Sequence, residues 1–189
     1  VNLPKDKIEA AIRKGTGEDA GGELYEITYE GYGHGGVAFL IEVAADNKNR
    51  VVAEVRHLLS KHGGAMGETG CVSWMFDKKG IISFEKGTYD DEKIMEIGLE
   101  AGAEDISDEG ELIEVITAPT DFETVRQAFE DAQMTPSEAE LTMVPQNTID
   151  VDAETGRKLM KLVDALEDND DVQNVHANFE LPEEVLAEL

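Results

Sequence analysis

The sequence predicts an α/β protein of the α+β kind: two α/β sandwich domains, one ferredoxin-like and inserted in the other, behind a short N-terminal helix. Three observations carry this. Over residues 80–146 the hydrophobic period switches between two and 3.6 in the order β-α-β-β-α-β, the ferredoxin-like signature. Residues 24–79 supply β-β-α-β and residues 148–180 supply α-β. Neither piece closes a sheet-and-helix layer alone, so the two are expected to pack together. A chain of 189 residues with 41% hydrophobic side chains can also bury a sizeable core. The expected divisions are a helix and linker over 1–22, a discontinuous domain of 23–79 plus 147–189, and an inserted domain of 80–146.

The elements follow in chain order. Asn2 caps a short helix with Pro4 in its first turn and Ile8, Ala11 and Ile12 on its apolar face; Gly15 and Gly17 stop it. The chain starts at Val1 with a helix start already under way, so further residues are expected upstream. Tyr25, Ile27 and Tyr29 alternate with acidic or hydroxyl residues, which marks Leu24–Glu30 as a strand. Gly31-Tyr32-Gly33-His34-Gly35-Gly36 spells the dinucleotide fingerprint GxGxxG. That reading fails, because the fingerprint needs a helix N-terminus after its glycines, and Val37–Val43 is a strand. The run is read instead as a hairpin connection with His34 exposed at its tip.

Residues 47–62 form an amphipathic helix. Val51, Val52, Val55, Leu58 and Leu59 make one apolar stripe. Asn47 is its N-cap, and Gly63-Gly64 its end. A loop over Gly63–Gly70 leads to a strand, Val72–Phe76, with Trp74 and Phe76 on one face. Asp77-Lys78-Lys79-Gly80 is read as a turn into a strand, Ile81–Phe84. Core packing is the plain reading of the two rings; stacking on a base would need an exposed ring.

In the inserted module, Asp90 or Asp91 caps a helix with Ile94, Ile97, Gly98 and Ala101 inward. Ala103–Ile106 and Leu112–Thr117 are strands around Gly110. Thr120-Asp121-Phe122-Glu123 reads as a capping box opening a helix that faces inward with Phe122, Val125, Phe129 and Ala132. Glu140–Val144 is a strand. Beyond it come a short strand over Thr148–Asp152, a helix over 153–168, a strand carrying Val175, Ala177 and Phe179, and a terminal helix opened by Pro182.

Charge singles out one stretch. The chain carries a net −26, of which residues 80–189 hold −24 and residues 1–79 only −2. Yet Lys48, Arg50, Arg56 and Lys61 stand against Glu54 alone between Asn47 and His62, a local +3. Arg50, His57 and Lys61 share the outer face of the helix, with Arg56 on its flank. A charged outer face can be merely solvated. The contrast with the acidic remainder favours a face that contacts an anion, since random surface here would be negative. A −24 half repels nucleic acid at long range, so any nucleic-acid contact falls to the first half; the acidic half suits solubility or a basic protein partner.

Catalytic chemistry leaves no trace. No nucleophile elbow, phosphate-binding lysine loop, HExxH or CxxC is present. His34, His57, His62 and His176 lack metal-ligand spacing, so no metal or other cofactor is expected. His176 should face away from the core. The single Cys71 is read as a small, partly buried residue, and its solitude suits a reducing, cytoplasmic setting. No apolar run is long enough to span a bilayer, and no signal peptide is visible.

Three motifs together carry a resemblance: LPKDKIEAAIRKGTG at 3–17, YEGYGHGGVA at 29–38 and DNKNRVVAEVRHLLSKHGGAMGETGCVSWMF at 46–76. In this order they resemble the YebC family, strongly over the first 80 residues and more loosely in the acidic half. His34 stands where many relatives have proline, and Cys71 where serine is common. The resemblance implies a three-domain protein, with residues 1–15 as the remnant last helix of a basic N-terminal domain, followed by two α/β domains, one inserted in the other. It also implies a role in gene expression, through DNA in bacterial transcriptional regulators or on the ribosome in translational activators.

The expectation is therefore a non-enzymatic, cytoplasmic regulator that binds DNA, or alternatively a ribosome-associated translation factor that contacts ribosomal RNA or relieves stalling. Lys48, Arg50, Arg56, His57 and Lys61 would contact phosphates. The glycine loops, with Gly33, His34, Gly35, Gly63 and Gly64, would allow close approach. A small-metabolite-sensing ferredoxin-like module is the rival from another class.

Overall fold

The computed structural model describes residues 24–189. The helix expected over residues 2–14 and the linker after it lie outside the described residues. The chain divides into two compact units, one taking in the described residues up to Met75 with Pro145–Leu189, the other Phe76–Val144.

In the discontinuous unit, β1 (Tyr25–Tyr32) and β2 (Ala38–Ala45) pair antiparallel in unbroken register from Tyr25 opposite Ala45 to Tyr32 opposite Ala38. A 3-10 turn over His34–Gly36 joins them. After α1 (Lys48–Lys61), a two-residue strand β3 (Ala65–Met66) adds to the outer edge of β1. Following the inserted unit come β8 (Ile149–Asp150), α4 (Ala153–Glu167), β9 (Val172–Ala177), β10 (Phe179–Glu180) and α5 (Glu183–Leu186). Strand β9 pairs antiparallel with β2, giving the order β3-β1-β2-β9, while β8 and β10 form a small parallel pair.

The core of this unit follows from the two periods. Phe39, Ile41, Val43 and Ala45, alternate residues of β2, meet Val51, Val55 and Leu59 of α1 and Leu159, Leu162 and Leu166 of α4, all buried. The Asn47 side chain accepts a hydrogen bond from the Arg50 amide at 3.1 Å, as an N-cap should. At the other end Gly64 N donates to Leu59 O at 2.8 Å and Gly63 N to Ser60 O at 3.3 Å, a Schellman closure with Gly63 at φ +77°.

The inserted unit is β4 (Phe76–Glu85), α2 (Asp91–Ala101), β5 (Asp105–Asp108), β6 (Leu112–Thr117), α3 (Phe122–Asp131) and β7 (Glu138–Pro145), in sheet order β5-β6-β4-β7. That is the ferredoxin-like arrangement, with the first strand between the third and the last. Ile82, Phe84, Ile113 and Val115 of the sheet pack with Ile94 of α2 and Val125 and Phe129 of α3.

Four local expectations are corrected. Residues 63–70 are not all loop, since Ala65 and Met66 pair with β1. Residues 77–80 are not a turn, because β4 runs through them from Phe76 to Glu85. Gly80 serves packing instead: a side chain there would strike Thr117 Oγ1 and come within 2.5 Å of Phe122 Cδ2. Trp74 and Phe76 do not share a strand face; Phe76 is buried in β4, while Trp74 sits exposed in a 3-10 turn, Ser73–Met75. The capping box is not formed. Asp121 is the N-cap with helical backbone and no side-chain bond, and Glu123 pairs with Arg126 at 2.9 Å.

The glycines of the two loops separate into packed and open positions. A Cβ on Gly64 would clash with the carbonyl oxygen of Tyr32, whereas one on Gly36 would meet nothing within 4 Å. Gly64→Ala should therefore lower the unfolding free energy by about 2 kcal/mol, in the range of overpacking. Gly36→Ala should cost only about 1 kcal/mol, the left-handed backbone penalty. Denaturant unfolding of the two variants checks the order.

Candidate nucleic-acid interface

The outer face of α1 is less uniformly cationic than its composition suggests. Arg50 spans three carboxylates: Asp46 at 3.1 Å, Glu54 at 3.2 Å and Asp171 at 2.8 Å. The Asp171 side chain is only 3% exposed. Glu54 also accepts from Asn169 Nδ2 at 3.0 Å. The hydrogen bonds to Asp46 and Asp171 raise the Arg50 pKa further. Arg50 thus fastens the first turn of α1 to the turn before β9, and its expected part as a phosphate contact is corrected to a structural one. Lys48 lies with Nζ 4.4 Å from the centroid of the Tyr25 ring, a cation–π contact.

Arg56, His57 and Lys61 are exposed. Among the described residues, no carboxylate lies within ion-pair distance of Arg56 or Lys61. The open positive surface on α1 therefore consists of these two side chains and of Lys48, which is exposed and keeps its charge over the Tyr25 ring, with His57 one turn before Lys61.

The glycine loops approach each other. Gly64 lies against the Tyr32 carbonyl and Gly33, and Gly63 lies under the His34 imidazole, too close for any Cβ. His34 is half-buried there and not exposed at a tip. Gly33 faces Phe39 and Leu159, whose nearest atoms would lie 2.6 and 2.9 Å from a Cβ. Close approach at Gly33, Gly63 and Gly64 is thus used within the chain. Gly35, at φ +71°, is exposed, and a Cβ there would meet only Thr155 Cγ2, at 3.6 Å.

The feature that sequence reasoning missed is Glu30. In a strand read as half-solvated, it is only 4% exposed. Its carboxylate accepts from the backbone N–H of Gly70 at 2.6 Å, of Val72 at 3.0 Å and of Ser73 at 2.6 Å. Burial pushes its pKa up, but the N–H groups of Gly70, Val72 and Ser73 outweigh this and leave it lowered. The glycine-rich run 67–70 is the only clue in the sequence, since a loop so poor in side chains needs its backbone donors held from elsewhere. Cys71 lies in this loop, half-buried, with its thiol pKa raised by burial and by the charge of Glu30. It is held as a thiol, not as a nucleophilic thiolate.

On the sheet face away from the helices, His176 Nε2 lies 3.3 Å from Glu42 Oε2, which also accepts from Asn174 Nδ2 at 2.9 Å. His176 thus faces away from the helix layer. An open cleft of about 480 Å³ runs past Glu26, Thr28, Glu42 and Asn174. Its carboxylates disfavour an anionic ligand.

The model of the TACO1/YebC second and third domain matches residues 24–179. This chain belongs to that family. Its similarity to a "Probable transcriptional regulatory protein" of Solidesulfovibrio magneticus is 63% identity over 185 residues, covering 98% of this chain and 75% of the relative. A protein of Syntrophus aciditrophicus with the same name is 54% identical over 189 residues, 76% of its length. The crystal structure of a conserved hypothetical protein from Aquifex aeolicus superposes with a TM-score of 0.81 at 42% identity, covering 98% of this chain and 76% of that one. Family membership supports a regulatory role. Among the described residues, no helix is long and apolar enough to cross a membrane.

Two outcomes follow from this geometry. A carboxyl whose folded pKa is lowered stabilises the fold above its unfolded pKa and loses that contribution as pH falls through the lowered value. The amides of Gly70, Val72 and Ser73 should therefore be protected from hydrogen exchange at neutral pH and lose protection in acid. Glu30→Gln should show roughly a tenfold or greater loss already at pH 7, with the amides of β2 unchanged. Arg50→Ala should lower stability by about 1–2 kcal/mol, the partial exposure of the guanidinium keeping it modest, and should leave nucleic-acid affinity within twofold or so. Thermal unfolding and a binding titration measure the pair.

Proposed function

We propose that this protein is a non-enzymatic regulator of gene expression that contacts nucleic acid through the outer face of α1. The observation that carries this is the pair Arg56 and Lys61, exposed and, among the described residues, free of carboxylate partners in a chain of net −26. In so acidic a protein an unneutralised cationic face is suited to a polyanion. The names of the relatives favour DNA and transcription. The chain itself supports short-range docking and not long-range attraction, because most phosphates approaching it meet negative surface.

A second reading, ribosomal RNA as the target, is favoured by the charge division. A ribosome presents RNA beside basic protein, and the −24 carried by residues 80–189 suits the latter. Arg56, His57 and Lys61 would do the same work in either case.

Arg56→Ala with Lys61→Ala should weaken binding and reduce the slope of log K against log salt by roughly 1.4–1.8, one phosphate contact per side chain. Retardation of duplex DNA and co-sedimentation with ribosomes, run on the same variants, decide the target. An unchanged affinity and slope on both would remove the face from consideration.

A further inference from the structure

Trp74 is the only tryptophan of the chain and is 65% exposed. An indole is a costly group to leave in water unless something covers it. Nor is it loosely hung: Trp74 Nε1–H donates to the carbonyl oxygen of Cys71 at 3.0 Å. The hydroxyl of Tyr32, itself 37% exposed, donates to the same oxygen at 3.3 Å. That oxygen is fixed in turn, because Glu30 grips the backbone on either side of Cys71, at Gly70 and Val72, and again at Ser73. Two aromatic side chains thus share a rigid mount.

Beside Trp74 lies a cavity of about 140 Å³ bordered by Met75, Gln146, Asn147 and Asn178. Gln146 props the turn, its Nε2 donating to Trp74 O at 3.2 Å and its backbone N to Met75 O at 2.8 Å. Asn147 is exposed, and its amide has no partner among the described residues. The surroundings of the ring are therefore a flat π surface with neutral donors and acceptors at its margin. Stacking rewards any planar heterocycle, and a side-chain amide can pair with a base edge.

We propose that Trp74, with Tyr32 on the same mount and Asn147 at the margin, is a stacking subsite for one unpaired nucleobase. This deepens the nucleic-acid reading above and rests on it. A base inside a duplex is already stacked and offers no face, so the subsite selects single-stranded or looped segments. Proline-rich peptides also seat on aromatic side chains. The neutral amides at the margin and the cationic face of α1 favour the base.

The test titrates the 189-residue chain with a single-stranded oligoribonucleotide, its deoxy counterpart, a duplex of equal length and a polyproline peptide. Trp74 fluorescence is followed together with the anisotropy of the labelled probe. Either single strand should quench Trp74 saturably and the duplex should not; a preference for the ribose form would add recognition of the 2′-hydroxyl to the stacked base. Trp74→Ala should weaken single-strand binding roughly ten- to a hundredfold with the salt slope unchanged. Trp74→Phe should retain most of the affinity, which separates stacking from misfolding. Arg56→Ala with Lys61→Ala should flatten the slope yet leave the quenching at saturation.

Undiminished single-strand affinity in Trp74→Ala would overturn the subsite, as would quenching by the peptide alone. Duplex binding that depends on Arg56 and Lys61 without any Trp74 response would sink the subsite and spare the function. No binding of any nucleic acid by the parent chain would remove both.

Discussion

A buried carboxylate with three backbone donors is an expensive thing to build, and Glu30 shows what the expense secures. Residues 67–75 contain two glycines and connect the edge of one sheet to the first strand of another unit. Left alone, such a segment has many conformations of similar energy. Charge-assisted bonds at 2.6–3.0 Å from Gly70, Val72 and Ser73 select one. That choice sets the position of the Cys71 carbonyl, and through it the indole and the phenol that both donate to it. Gly67 N also donates to Glu30 O at 2.8 Å, so the same residue holds the segment by backbone and by side chain.

The basic helix shows why counting charges overstates a binding surface. With 42 acidic residues against 16 basic ones, a cation readily finds carboxylates within reach. Arg50, in the first turn of α1, meets Asp46, Glu54 and Asp171. Arg56 and Lys61 lie further along the helix and escape. What remains open is three of the four cations, Lys48, Arg56 and Lys61.

The parts of the fold governed by local chemistry were legible. The β-α-β-β-α-β order, the Asn47 cap, the glycine end of α1 and the inward faces of the helices all follow from periodicity and from short-range hydrogen bonding. What could not be read depends on partners distant in the chain. Asp77-Lys78-Lys79-Gly80 has the composition of a turn, yet Gly80 is small because Thr117 and Phe122 crowd it. Glu30 looks like any acidic residue on a strand until the loop forty residues later supplies its donors. Trp74 looks like core because a strand was expected there. Of the candidate site, Arg56, His57 and Lys61 were legible as a helix face; the neutralisation of Arg50 and the mount of Trp74 were not.

The division of the discontinuous unit bears on how a nascent chain reaches this structure. Phe39, Val51, Val55 and Leu59 are made early, but the helix and strand that cover them, Ala153–Glu167 and Val172–Ala177, emerge only after the whole of Phe76–Val144. The ferredoxin-like unit is contiguous and can close on itself while its host is still half a sandwich. Until synthesis passes Ala177, one edge of β2 is unpaired and an apolar face is uncovered, the condition in which chains associate wrongly. The order of translation therefore lets the intervening unit fold first and the surrounding one last.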